Sequence, residues 1–171
     1  MVRNRRGFSL IELLIVVAII LIIAAIAIPD LLKSKTAANQ ASAVGSLRVI
    51  VTSEVSYNST FTVGYSATLD DLDGSAVPST TTSAGLIDSV LASGGKSGYN
   101  FYYVPCVSPA VANNGSLAPG ACGAVPISVF QVSANPMGGV GYGNYYFTDP
   151  SAVIRQNPNA PAGPSDTPIG N

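Results

Sequence analysis

The chain has 171 residues, with Lys and Arg together numbering 8, Asp and Glu together 9, and no histidine, for a formal net charge of −1. Histidine is the commonest general base and metal ligand. Without it, and with no Ser–Lys or paired-carboxylate arrangement standing out, the composition speaks against an enzyme, a cofactor or a metal centre. It also speaks against nucleic acid as a partner. Setting aside Arg3, Arg5 and Arg6 leaves Lys33, Lys35, Arg48, Lys96 and Arg155 against the nine acids, whereas phosphate backbones demand clustered cations.

The three arginines open the chain, and the residues that follow, 8–28, carry Glu12 as their sole charge. A helix of that length reaches roughly 30 Å at about 1.5 Å per residue, the thickness of a bilayer's hydrocarbon core. The segment can therefore span a membrane, with the arginines holding its start on the cytoplasmic side. Glu12 is the anomaly. A carboxylate at the centre of such a helix costs about 2.5–3.5 kcal/mol, and somewhat less near an end, unless something pairs with it.

Past Pro29 the apolar positions thin to a stripe, Ala37, Ala41, Val44, Leu47, Val51 and Val55, at steps of three and four. That spacing predicts an amphipathic continuation, so a single helix is expected over residues 8–57, apolar all round at first and on one side later. Pro29 is expected to kink it, because proline removes a donor and crowds the preceding turn. Residues 58–97 are small and polar, and SATLDDL and SAGLIDSVLASGG each read as a short helix.

The period then changes. GYNFYYVP, ISVFQVSA, NYYFTD and SAVIR are β-branched and aromatic, separated by Gly, Pro and Asn, and read as antiparallel strands. Alternation in Tyr99, Phe101 and Tyr103 sets one face against the helix. Residues 156–171 are rich in Pro, Gly and Asn and are expected to be disordered. The fold class is α+β, a long helix packed by its distal half on a small antiparallel sheet. Cys106 and Cys122, an even count in a chain that crosses a membrane, read as one disulfide contributing about 3 kcal/mol; two unpaired buried thiols are the alternative.

The run Arg5-Arg6-Gly7-Phe8-Ser9-Leu10-Ile11-Glu12-Leu13-Leu14 resembles the leader and processing site of type IV prepilins. The resemblance implies that residues 1–7 are a leader removed by a prepilin peptidase after Gly7, and that Phe8 is then N-methylated. It implies that Glu12 faces the amine of Phe8 on a neighbouring subunit, and that Pro29 falls at the family's proline position. It further implies a type IV pilin fold, with residues 8–29 as the membrane-spanning and filament-core half of the helix and residues 30–155 as the head. The partners implied are other copies of the chain in a helical filament, the peptidase and N-methyltransferase, the inner-membrane assembly machinery, and lipid before assembly. The location implied is the bacterial inner membrane, then an extracellular pilus or a periplasmic pseudopilus. A type II secretion pseudopilin is the alternative. The chain departs from both groups: Cys106 and Cys122 would bridge the connection between the first and second strands, with two strands still to come, instead of closing a C-terminal loop, and where major pseudopilins usually carry an acidic calcium loop this chain has only Asp149 and Asp166.

Three blander readings compete. Ala25-Ile26-Ala27 satisfies the small-residue rule of an ordinary signal peptide, but the acid within the run and Pro29 just after the cut are both awkward. DDLDG lacks the D-x-[DN]-x-[DN]-G spacing of a calcium loop. Asn58-Ser59-Thr60 and Asn114-Gly115-Ser116 are sequons of a kind that arise by chance in Ser- and Asn-rich chains.

Overall fold

The computed structural model describes residues 7–74, 78–106, 126–139 and 141–170. Its contacts divide the chain into two units, one ending at Ala37 and the other beginning at Ala38. Helix α1 (Leu10–Phe61) has residues in both.

In the first unit, residues 7–37 include none that is buried within the chain. Leu, Ile and Ala dominate here: Leu and Ala are strong helix formers, Ile gives up some χ1 freedom against the preceding turn, and no glycine interrupts the run after Gly7. Pro29 lies inside the helix without ending it. Its ring nitrogen carries no hydrogen, so the carbonyl four residues earlier receives no helical donor there. This is the one helix of the described residues long and apolar enough to cross a membrane.

The second unit is the α+β body. Helices α2 (Leu69–Leu72) and α3 (Ser89–Ala92) precede strands β1 (Gly95–Lys96), β2 (Tyr99–Cys106), β3 (Val129–Pro136), β4 (Tyr145–Thr148), β5 (Arg155–Asn157) and β6 (Thr167–Pro168). The six strands form one antiparallel sheet in chain order. Each short helix is started by a side chain: Thr68 and Asp71 form a reciprocal capping box on α2, and Asp88 accepts from Leu91 N–H on α3.

Alternation along the strands gives the sheet two different faces. Tyr99 and Phe101 on β2, Phe130, Val132 and Ala134 on β3, and Tyr146 on β4 meet Ala43, Leu47, Ile50, Val51 and Tyr57 of α1. Leu69, Leu72, Leu91 and Ala92 of the short helices close the same core. Full burial of side chains such as Leu47, Ile50 and Phe130 is worth about 1.5–3 kcal/mol apiece. On the opposite face, Tyr145 and Phe147 form a second, smaller core with Ala162.

That second core corrects the expectation for residues 156–171. The segment is folded, and it contributes most of β5 and all of β6. Two side chains organise it. Asp166 accepts from Asn157 Nδ2 at 3.0 Å and from Gly163 N–H at 2.8 Å, while Asn157 Oδ1 accepts from the amides of Asn159 and Ala160. Proline-rich chain of this kind has few amides to satisfy, so a few local side-chain acceptors suffice to fix it.

The expected stripe on α1 is also displaced. Ala37, Ala41 and Val55 are exposed, and the buried line runs Ala43, Leu47, Ile50, Glu54, Tyr57, flanked by Ser46 and Ser53. Polar side chains occupy the inner face because partners await them there. Ser53 Oγ donates to the Leu86 carbonyl at 3.2 Å, and Glu54 is met by Ser66.

Candidate functional site

Gly7, Phe8, Ser9 and Glu12 lie together at the start of α1, and all are exposed, Phe8 at 77% of its full surface. Ser9 occupies the N-cap position, its carbonyl accepting from Leu13 N–H at 3.3 Å. Glu12 is then the third helical residue, and its Oε2 accepts from Ser9 N–H at 2.9 Å. This is the acidic half of a capping box, satisfying one amide that a helix start leaves without a partner. The signal for it is the Ser-x-x-Glu spacing of Ser9 and Glu12. A carboxylate accepts at several positions, so the single bond from Ser9 leaves Glu12 able to take further donors.

From Leu10 to Leu32 the Leu, Ile and Val side chains face outward, with Leu10, Ile22 and Ile26 all more than half exposed. Among the described residues nothing covers this surface, and apolar area of that extent marks a site for lipid or protein. The disulfide expected between Cys106 and Cys122 lies outside the described residues, since Cys122 is not among them. The backbone of Cys106 ends β2, opposite Val129 of β3.

A second acid of α1 lies in the other unit and escaped the sequence reading. Glu54 is fully buried. Its Oε2 accepts from Ser66 N–H at 2.9 Å, and its Oε1 lies 2.6 Å from Ser66 Oγ. Tyr103 of β2 donates its hydroxyl hydrogen to the Ser66 carbonyl at 2.9 Å. Desolvation pushes the Glu54 carboxyl above its ordinary range, opposed by the bonds from Ser66 and Tyr103 and reinforced by Asp71. Burial likewise pushes the Tyr103 phenol up, with the nearby Glu54 adding to the effect. No sequence signal short of the fold itself marks Glu54, because its helix position looks like any polar residue beside the apolar stripe.

Comparison with known proteins bears on the first site. Residues 2–28 match the family model of the prokaryotic N-terminal methylation motif. The chain is similar to the type IV major pilin protein PilA of Myxococcus xanthus, 50% identical over 54 residues, which is 32% of this chain and 24% of that one. It is similar to the type IV wide pilus major component PilA4 of Thermus thermophilus, 62% identical over 37 residues, 22% of this chain and 28% of that one. The matches thus span about a quarter of the length of these curated relatives. No solved structure matches the chain. What these matches show is confined to the amino-terminal segment: it carries the prokaryotic N-terminal methylation motif and is similar to the corresponding part of type IV major pilins, and the structure continues from it into an α+β body.

Proposed function

We propose that the protein is a structural subunit of a type IV pilus or related filament. The chain inserts in the inner membrane, is cut between Gly7 and Phe8, is methylated on the new amine of Phe8, and polymerises through residues 8–29. Residues 30–155 form its outward head. The observation that carries this reading is the methylation-motif match over residues 2–28, coinciding with an apolar helical surface that the chain leaves uncovered. Small side chains within the run, Ala18, Ala24, Ala25 and Ala27, permit close helix approach, as in membrane helix pairs. Glu12 supplies the anion that meets the Phe8 amine of a neighbour, and in a low-dielectric fibre core that attraction is strong while an unpaired charge is penalised.

The test is the amino-terminus and intact mass of protein recovered from sheared extracellular filaments. The expected species begins at N-methylated Phe8 and carries the hydrogen deficit of a Cys106–Cys122 disulfide. A chain beginning at Ile28 and free in the periplasm would make the apolar run a discarded signal and overturn the proposal.

A further inference from the structure

The Glu54 cluster contains more acceptors than hydrogens unless the acid itself carries one. Ser66 Oγ lies 2.6 Å from Glu54 Oε1, 2.9 Å from the Thr68 carbonyl and 3.3 Å from Tyr103 Oη. A serine hydroxyl has a single hydrogen to give, and the Tyr103 hydrogen is directed to the Ser66 carbonyl. With Glu54 ionised, Ser66 can serve Glu54 Oε1 or the Thr68 carbonyl but not both. The other contact then becomes two oxygens facing each other at hydrogen-bond distance with nothing between them. A proton on Glu54 Oε1 resolves the conflict: Glu54 donates to Ser66 Oγ, Ser66 donates to the Thr68 carbonyl, and Oε2 still accepts from Ser66 N–H.

The surroundings agree. The groups facing Glu54 are Tyr57 on its own helix, Tyr103 on β2 and Asp71 on α2, which is two neutral phenols and one like charge. None is a cation, so an ionised Glu54 would be a buried charge without a counter-ion. The loop it holds, residues 62–68, is fixed elsewhere by a bridge from Gly64 to Ile127 and by Tyr65 N–H donating to the Ile127 carbonyl at 2.9 Å.

We propose that Glu54 is a neutral carboxylic acid in the folded head, and that its proton completes a latch, Glu54 to Ser66 to Thr68, tying the loop after α1 to the helix; removal of the proton loosens it. The direction of the pH effect follows from the sign of the shift. The folded-state carboxyl titrates above the unfolded reference of 4.5, so the folded chain holds a proton that the unfolded chain has released. The stabilisation is complete below that reference and is lost as pH rises from it through the higher folded value.

Glu12 and Glu54 are the sole glutamates of the chain, which makes the test direct. The full-length protein is prepared in detergent micelles with glutamate labelled with carbon-13 at the side-chain carboxyl, and Glu12→Gln reduces the spectrum to one labelled side-chain signal. At neutral pH the Glu54 carbon is expected at the upfield position of a neutral acid, moving downfield as the pH is raised further. In parallel, the melting temperature of Glu54→Gln, which keeps a donor for Ser66 Oγ and an acceptor for Ser66 N–H, is expected to lack the decline with rising pH that the wild type shows. A carboxylate position at neutral pH overturns the proposal, as does a glutamine variant whose melting profile runs parallel to the wild type. The first readout does not depend on whether the Glu54 variant folds.

Discussion

Glu12 and Glu54 stand on the same helix and meet opposite circumstances. Glu54 is enclosed by groups from α1, the loop at residues 62–68, α2 and β2, and every polar atom of the cluster has its partner within the chain. Among the described residues Glu12 has one bond, from Ser9 N–H, on a surface whose large apolar side chains are exposed. The second unit buries a core of its own and, among the described residues, leaves only Asn135 Oδ1 and Thr148 Oγ1 as buried side-chain polar atoms without a partner, whereas the first unit leaves its apolar side chains exposed.

The sharpest way to break that contrast is Glu12→Ala. It is expected to be inserted and cleaved normally, to leave the melting of the head unchanged, and to reduce sheared filaments to a small fraction of the wild-type yield. Normal filament yield would remove Glu12 from assembly. Next in size is Phe147→Ala, which empties the small core shared with Tyr145 and Ala162 and is expected to cost about 3–5 kcal/mol by thermal or denaturant unfolding. The paired control, Ile20→Ala in the uncovered run, is expected to change head stability by less than about 0.5 kcal/mol. A comparable loss from both would mean that the two units are not energetically separate.

Gly143→Ala is expected to cost about 1–3 kcal/mol. Its φ is +145, and a Cβ there would stand 2.5 Å from Tyr99 Oη, whose hydroxyl donates to the Asn144 carbonyl. The smallest effect belongs to the exposed pair of Lys96 and Asp88, 2.7 Å apart, where Lys96→Ala is expected to cost no more than about 0.5 kcal/mol in low salt. Lys96, helped by Leu91 N–H, holds the Asp88 carboxyl below its ordinary range. Its contribution is therefore present above the unfolded reference of 3.8 and lost as pH falls through the lower folded value, opposite in sign to that of Glu54.

Much of this molecule was legible in its residues. The uncovered run, both short helices, and the inward set Tyr99, Phe101 and Tyr103 follow from periodicity and spacing, and the motif around Gly7 and Phe8 from its resemblance to a prepilin processing site. Three features resisted, each for its own physical reason. The buried face of α1 turned away from Ala37, Ala41 and Val55 because Ser53 and Glu54 found acceptors and donors in residues that a helical wheel does not contain. The segment beyond Gln156 looked too poor in apolar residues to fold, yet Asp166 and Asn157 supply its order and Ala162 its anchorage. Strands β1 and β6, two residues each, fall below the length at which alternation can be read.

Those two short strands are also the borders of the sheet. A sheet border is a template on which another chain can lay a strand, and the hazard grows with the length of unpaired backbone and with crowding. Here one border is Gly95–Lys96, carrying a positive charge, and the other is Thr167–Pro168, where proline offers no amide. At these two borders, then, little backbone is open to another strand, and a lysine's charge on one side and a proline's missing amide on the other lower the hazard further.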